Sequence, residues 1–522
     1  MNNTVKFGMY LVVPLLVLGL VGTLPVLAQT TETHYFKAKM STDNENPVIT
    51  GLDATGSARF KVIVNRDSGG AITSGTVTFD VGYQFPGPVT IVGMHIHSGA
   101  LGENGPVVIS SGLTSVASAT GSGSLSYTTD ALTTAAELQA LDGLIKTPQL
   151  YYVNLHTPEH LAGVMRGQIT TETFFFRATM LPENELPAIT GLNADAPVLV
   201  TLDVTRDDSG NITSGAVVFD AQYRFPGPVN IIGFHIHSGQ ANQNGPIVIS
   251  SGVTSISDAT GVGKIVKVLS LPTTDAMLST IQGIVSNPGD FYVNIHTPEH
   301  PAGVMRGQLT DARQALNLPY SVDNATYRSN LGVQNLTDMP GMVLAQLSTK
   351  SGVTYEKTIY LPSRGFVQIF NVNPAMGSNE DMGSIRLAPD QPVEAFVSVI
   401  QNSNNAPTLV PLAFDGRRLC IGSATNAGNF RSTLVVANEG NQQALVDLTA
   451  RDINGSTVGQ KTGIQIDPMG FFSDTDILTT LGLSVAWGPL EIRSTNGQPI
   501  SAVSIVYNPA NNLGFSLAGR EF

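Results

Sequence analysis

The chain has 522 residues, of which 42% are hydrophobic and only 13% charged, and its net charge is −13. That length is too great for one core and suits three or four domains of ordinary size. The apolar content excludes a disordered chain, and an acidic balance with no basic cluster excludes nucleic acid and anionic membrane as partners.

The N-terminus reads as a signal peptide over residues 1–28. Lys6 is the only charge before Glu32, an apolar stretch runs from Met9 to Ala28, and Val26-Leu27-Ala28 offers small residues for cleavage after Ala28. The stretch is long enough for a membrane anchor, but Gly19, Gly22 and Pro25 interrupt its second half, which favours cleavage. Removing it takes away one lysine and no acid, leaving a net charge of −14. No later run has spanning length, so no transmembrane segment is expected after signal removal. The expected location is secreted or in the cell envelope. Cys420 is the only cysteine, so stability must come from sheet packing or bound metal rather than an intramolecular disulfide.

Beyond the leader the chain repeats itself. Phe36-Lys37-Ala38 pairs with Phe176-Arg177-Ala178, and Phe85-Pro86-Gly87-Pro88-Val89 with Phe225-Pro226-Gly227-Pro228-Val229. His95 recurs as His235 and Arg166 as Arg306, always 140 positions later. The copies occupy about 32–171 and 172–311. Within a copy, Ala58–Val64 and Ile72–Asp80 alternate apolar and polar residues about the turn Asn65–Gly70, which predicts a β-hairpin. The acid-rich turns lack the ligand spacing of a calcium loop. Asn104-Gly105-Pro106 and Asn244-Gly245-Pro246 are expected turns with glycine at positive φ. One short helix per copy is expected, over Asp130–Leu144 and Asp275–Val285, in a crossover loop.

After Thr310 histidine disappears and a weaker repeat begins. Tyr327-Arg328-Ser329-Asn330-Leu331 aligns with Phe430-Arg431-Ser432-Thr433-Leu434, 103 positions later, and Asn335 with Asn438. Alternating strands and turns such as Asn454-Gly455 fit two further β-sandwich modules, 320–415 and 420–522. They carry no residue cluster suited to chemistry and read as spacers or adhesion modules.

Eight of the nine histidines fall at matched places in the first two repeats. Gly93–Ser98 reads as a strand with His95 and His97 on one face, and Tyr152–His156 as a second with Asn154 and His156 on one face. Neutral imidazoles suit zinc and copper(II). One reading gives each copy a Zn or Cu ion held by His95, His97 and His156, with His160 from the Thr157–His160 turn, or a water, completing the shell. The second copy would use His235, His237, His296 and His300. The competing reading is a metal-free network in which the histidines hydrogen-bond to one another and to Asn154, Ser98 and Arg166, with Asn294 and Arg306 in the second copy. Arg166 and Arg306 are expected to be buried and to tie loop carbonyls together.

These residues resemble the chordin-type (CHRD) domain, named from an animal inhibitor of bone morphogenetic proteins and found also in exported microbial proteins. The resemblance rests on Gly93-Met94-His95-Ile96-His97-Ser98-Gly99, Asn104-Gly105-Pro106, Tyr152-Val153-Asn154-Leu155-His156-Thr157 and Arg166-Gly167-Gln168, and on the same series from Gly233 to Gln308. It implies an immunoglobulin-like sandwich or barrel and little chemistry. The chain departs from the family at Val164 and Val304, where a glutamate is usual. Gly233-Phe234-His235-Ile236-His237 also resembles the copper-ligand strand of copper/zinc superoxide dismutases. The bridging histidine, zinc aspartate and disulfide of that pattern are missing, so dismutase activity is not expected.

The fold class expected is therefore all-β, with four immunoglobulin-like or superoxide-dismutase-like sandwich domains in a row. No nucleophile–base pair, phosphate loop or paired acid site stands out, so no catalytic residue is assigned. The expected function is an exported, non-enzymatic protein whose two histidine-bearing domains act as extracellular binding or structural modules, each holding a metal ion on the first reading of the histidines, with an extracellular protein, a polysaccharide or a surface ligand as partner. A Cu/Zn redox or metal-scavenging protein, and an adhesin acting through the C-terminal modules, are the alternatives.

Overall fold

The computed structural model describes residues 30–207, 209–311, 316–452, 454–483, 487–508 and 513–521. The leader expected at 1–28 lies outside the described residues. Among those residues, no helix is long and apolar enough to cross a membrane.

The chain is all-β, as the alternation predicts. In the first repeat Thr55–Arg66 buries Phe60, Val62 and Val64, and pairs along its length with Ile72–Gln84, which buries Val77, Phe79 and Val81. The hairpin turns on Asp67, whose Oδ1 accepts from the N–H of Gly69 and Ala71 at 2.9 and 3.0 Å, with Gly70 at φ +84°. An aspartate that closes its own turn in this way is structural. The eight-stranded sheet runs in the order Val107–Ser110, Gly93–Ser98, Tyr151–His156, Met165–Gln168, Thr30–Ser41, Thr55–Arg66, Ile72–Gln84, Ser122–Thr128. Its two halves share one core, in which Phe60 and Phe79 join Met94, Ile96, Val153 and Leu155. The second repeat has the same strand order, but its ladder breaks into a five-stranded and a four-stranded sheet, joined by a lone bridge from Leu181 to Arg306.

Each repeat carries its one long helix where expected, with a shifted start in the first. That helix spans Ala135–Lys146 instead of beginning at Asp130. Thr134 and Glu137 form a capping box that fixes the N-terminus. Upstream, the Leu132 backbone is held extended by bonds to both the N–H and the C=O of Gly75. The second helix, Asp275–Ser286, is capped by Thr274.

The C-terminal part forms two further pairs of facing sheets. The sequence echo between them has a hydrogen-bonding basis. Asn335 donates to the carbonyls of Met339 and Pro362 and accepts from Thr337 N–H, and Asn438 donates to Gln442 and Asp467 and accepts from Gly440 N–H. Ser329 and Ser432 each exchange two bonds with the backbone seven residues upstream. The two sandwiches share apolar packing, because Val435, Ala437, Phe471 and Val503 join the core built around Leu331, Val343 and Leu387.

The first three units meet at a buried charged junction. Lys39 and Asp390, 2% and 0% exposed, stand 3.5 Å apart, and Ser57 donates to Asp390 as well. Arg59 donates to the carbonyl of Ala388, and Asp390 accepts from Met342 N–H. Lys37 reaches across to Thr173, which donates to Asp203. A buried ion set of this kind is costly to break from one side only. Asp390→Ala leaves Lys39 and Arg59 short of a counter-charge and should cost about 3–5 kcal/mol, read as a lower urea midpoint of the full chain. Replacing both Lys39 and Asp390 by apolar residues of similar volume should recover most of that loss. A single variant as stable as the parent would mean that the junction is solvated.

Candidate metal centre

The site follows from strand register. Gly93–Ser98 pairs antiparallel with Tyr151–His156, setting Gly93 opposite His156, His95 opposite Asn154 and His97 opposite Tyr152. Met165–Gln168 continues the ladder, with Arg166 opposite Asn154 and Gln168 opposite Tyr152. Residues directly opposite share a face, so His95, His97, Asn154, His156, Tyr152, Arg166 and Gln168 all stand away from the core, while Met94, Ile96, Val153 and Leu155 enter it. Gly93 leaves the imidazoles their room, since a Cβ there would lie 2.9 Å from His95 Cε1 and 3.3 Å from His156 Cδ2.

One ring nitrogen from each of His95, His97 and His156 lies within 4.8 Å of the other two, and the same holds for His235, His237 and His296. The ring centroids are 4.9 to 5.9 Å apart in the first copy and 4.9 to 5.8 Å in the second. His97 Nδ1 meets the carbonyl of Gly105 at 3.0 Å, and His156 Nδ1 that of Leu161 at 3.0 Å. The counterparts are His237 to Gly245 at 3.0 Å and His296 to Pro301 at 3.1 Å. A carbonyl accepts only from an N–H, so these rings carry their proton on Nδ1 and turn the Nε2 lone pair inward. His95 Nδ1, His97 Nε2 and His156 Nε2 are buried with no hydrogen-bond partner among the described residues, as are the three matching atoms of the second copy. The hydrogen-bonded network read from the sequence as the competing arrangement is not formed by these nitrogens.

Burial, reinforced by the His156 and His97 rings, pushes His95 down to about 4, and His235 likewise. Burial also lowers His97, His156, His237 and His296. All six rings are thus neutral at neutral pH, the form that ligates metal. Nitrogens around a tetrahedral zinc, bonded at about 2.0–2.1 Å, stand roughly 3.4 Å apart, and copper(II) accepts imidazoles in square-planar or tetragonal sites. The converging groups lie within 4.8 Å of one another, near that spacing, and His95, which no backbone carbonyl anchors, is the ring left to adjust. The donor set therefore fits either metal.

A second layer fixes the rings. Tyr152 stacks on His97 at 5.0 Å and 13°, and Arg166 lies 3.7 Å over the Tyr152 ring. Arg166 also donates to the carbonyls of Glu103 and Ala100 and to Asn104 Oδ1, the loop-tying role expected of it. Tyr292 and Arg306 repeat this on His237. Gly105 and Gly245 do not have the positive φ expected of them. Glycine is needed there for close approach, since a Cβ would fall 1.5 or 1.6 Å from the carbonyl oxygen of Ser98 or Ser238. His160 and His300 remain in their turns, outside the converging groups of three.

Sequence reading missed Tyr152, Gly93 and an acid. Tyr152 and Gly93 were legible from the same alternation that placed the histidines. Glu45 and Glu185 come from a distant loop, and their only signal was the recurrence of Asn44-Glu45 and Pro47 as Asn184-Glu185 and Pro187. Glu185 Oε1 accepts from Asn294 Nδ2 at 3.0 Å. Val164 and Val304 are buried in the cores, so the acid near this segment is supplied from outside it.

The CHRD domain family matches residues 36–169 and 176–309, more than half of the chain. The chain belongs to the CHRD family. No curated protein matches it. Among solved structures, a "Biofilm associated protein - BSP domain" is 11% identical over 85% of this chain and 92% of that one, with a TM-score of 0.12. A "tetra-tandem repeat in extending region of large adhesion protein" is 11% identical over 84% and 94%, also at 0.12. Scores this low carry no argument.

In both CHRD domains burial pushes the glutamate up to about 7 against the pull of the arginine. A carboxyl raised in the folded state costs nothing where folded and unfolded forms are both protonated, and costs its full amount once the folded form ionises. The variant Glu45→Gln with Glu185→Gln should thus match the parent in stability below about pH 3.5, where the carboxyls are protonated in both states. It should gain as pH rises, by roughly 2 kcal/mol per site above pH 7. Thermal melts of metal-free protein across that range test this, and a gap independent of pH would refute it.

Proposed function

We propose that this is an exported, non-enzymatic protein whose two CHRD domains each hold one zinc or copper ion and serve as metal-holding binding modules outside the cell. The ligands are His95, His97 and His156 in the first domain and His235, His237 and His296 in the second. The observation that carries the reading is the pair of matching sets of three buried nitrogens, aimed together and left without partners. An unpartnered buried polar atom costs about 1–3 kcal/mol, and a bound ion would remove that cost at three atoms at once. The apolar leader at 9–28 supports export. The pair of C-terminal sandwiches, which has no such cluster among the described residues, presents the two domains.

Elemental analysis of purified, equilibrated full chain should find close to two zinc or copper ions per molecule. His97→Ala should leave one, and His97→Ala with His237→Ala none. Less than about half an ion per chain would end the metal reading, given the tight binding of three-histidine sites. The domains would then be binding modules whose imidazoles only shape a surface.

A further inference from the structure

We propose that the ion in each CHRD domain keeps one coordination position for an exogenous small anion. The inference rests on the metal reading above and concerns what that ion can take up. Only three donors converge in either domain, and no further His, Cys, Asp or Glu among the described residues joins them. A structural zinc closes its shell with four protein ligands, whereas a three-ligand set leaves a position for another molecule.

Each imidazole supplies one bond, so none of the three can also fill the fourth position. His97 and His156 are pinned by the carbonyls of Gly105 and Leu161, and Tyr152 stacks on His97 with Arg166 behind it. The approach is on the side of His95, whose ring is the least buried of the three. Charge selects the ligand. Three neutral imidazoles leave the double charge of the ion uncompensated, and the guanidinium stacked behind them adds to it. The buried acid Glu45 acts on Arg166 and Asn154 and is not among the converging donors. An anion is therefore favoured over a neutral molecule of equal size. The second domain repeats every part of this arrangement.

The groups able to close the shell instead are Glu159 and His160, on the turn that follows His156, and their counterparts Glu299 and His300. The test loads the full chain with Co(II), whose visible spectrum reports its ligand shell, and titrates it with azide. The expected result is a saturable spectral change reaching two azides per chain. The change should persist when Glu159→Gln, His160→Ala, Glu299→Gln and His300→Ala are combined. Cobalt-loaded protein whose spectrum azide leaves unchanged overturns the inference. A response confined to the turn variants does so too, because the turn would then supply the fourth ligand. A chain that takes up no cobalt defeats the metal reading itself, and cobalt content tells that failure apart from the others.

Discussion

The pairing of Gly93–Ser98 with Tyr151–His156 is the constraint on which the site depends. Because side chains alternate along a strand, a slip of one residue would send His95 and His97 into the core and Met94 and Ile96 outward. The register is held from the other face, where Met94, Ile96, Val153 and Leu155 are fully buried in one apolar cluster. The hydrophobic core thus sets the positions of imidazoles that are not part of it. Glycine at position 93 completes the arrangement, since any side chain opposite His156 would fill the space between the rings.

Convergence alone does not make a ligand set; the lone pairs must also point inward. Backbone carbonyls achieve this by taking the Nδ1 protons of His97 and His156. Such outer contacts fix both tautomer and orientation of a ligating histidine. His95 has no such anchor, and its Nδ1 is the unpartnered atom. The anchored rings therefore offer Nε2, whereas the His95 ring is not fixed by any backbone carbonyl. The same pattern of two anchored rings and one unanchored ring recurs in the second domain.

The parts of this arrangement legible in sequence were those with a short period. Alternation gave the strands and the shared face of His95 and His97, and motifs recurring 140 positions apart gave the two repeats. Features that depend on loops crossing space were hidden. The carbonyls that orient the rings come from Gly105 and Leu161, and carbonyls leave no trace in composition. Gly105 was noticed but for the wrong reason: it serves close packing against Ser98, which no turn signature distinguishes from positive φ. Glu45 lies far from the histidines along the chain, and only its recurrence as Glu185 could have marked it. The helix start at Ala135 was missed because a backbone bridge from Leu132 to Gly75 overrides local propensity.

The two copies show which features the geometry requires. The residue whose carbonyl holds the second anchored ring is Leu161 in one domain and Pro301 in the other, and the bond is the same within 0.1 Å. Met94 becomes Phe234 beneath the histidine strand, and the ring-to-ring distances hold. What does not vary is the set of atoms that face the three nitrogens or fix their direction. Around this common site the domains differ in their neighbours. The loop that carries Glu45 in the first domain also offers Asp43 and Asn44 to Lys267 and Ser270 of the second. Asn44 donates as well to the carbonyl of Arg166, so one side chain touches both the strand behind the first site and the sheet of the next domain. The two sites are thus alike in their ligands but unequal in their mechanical setting, the first being braced by the body of the second.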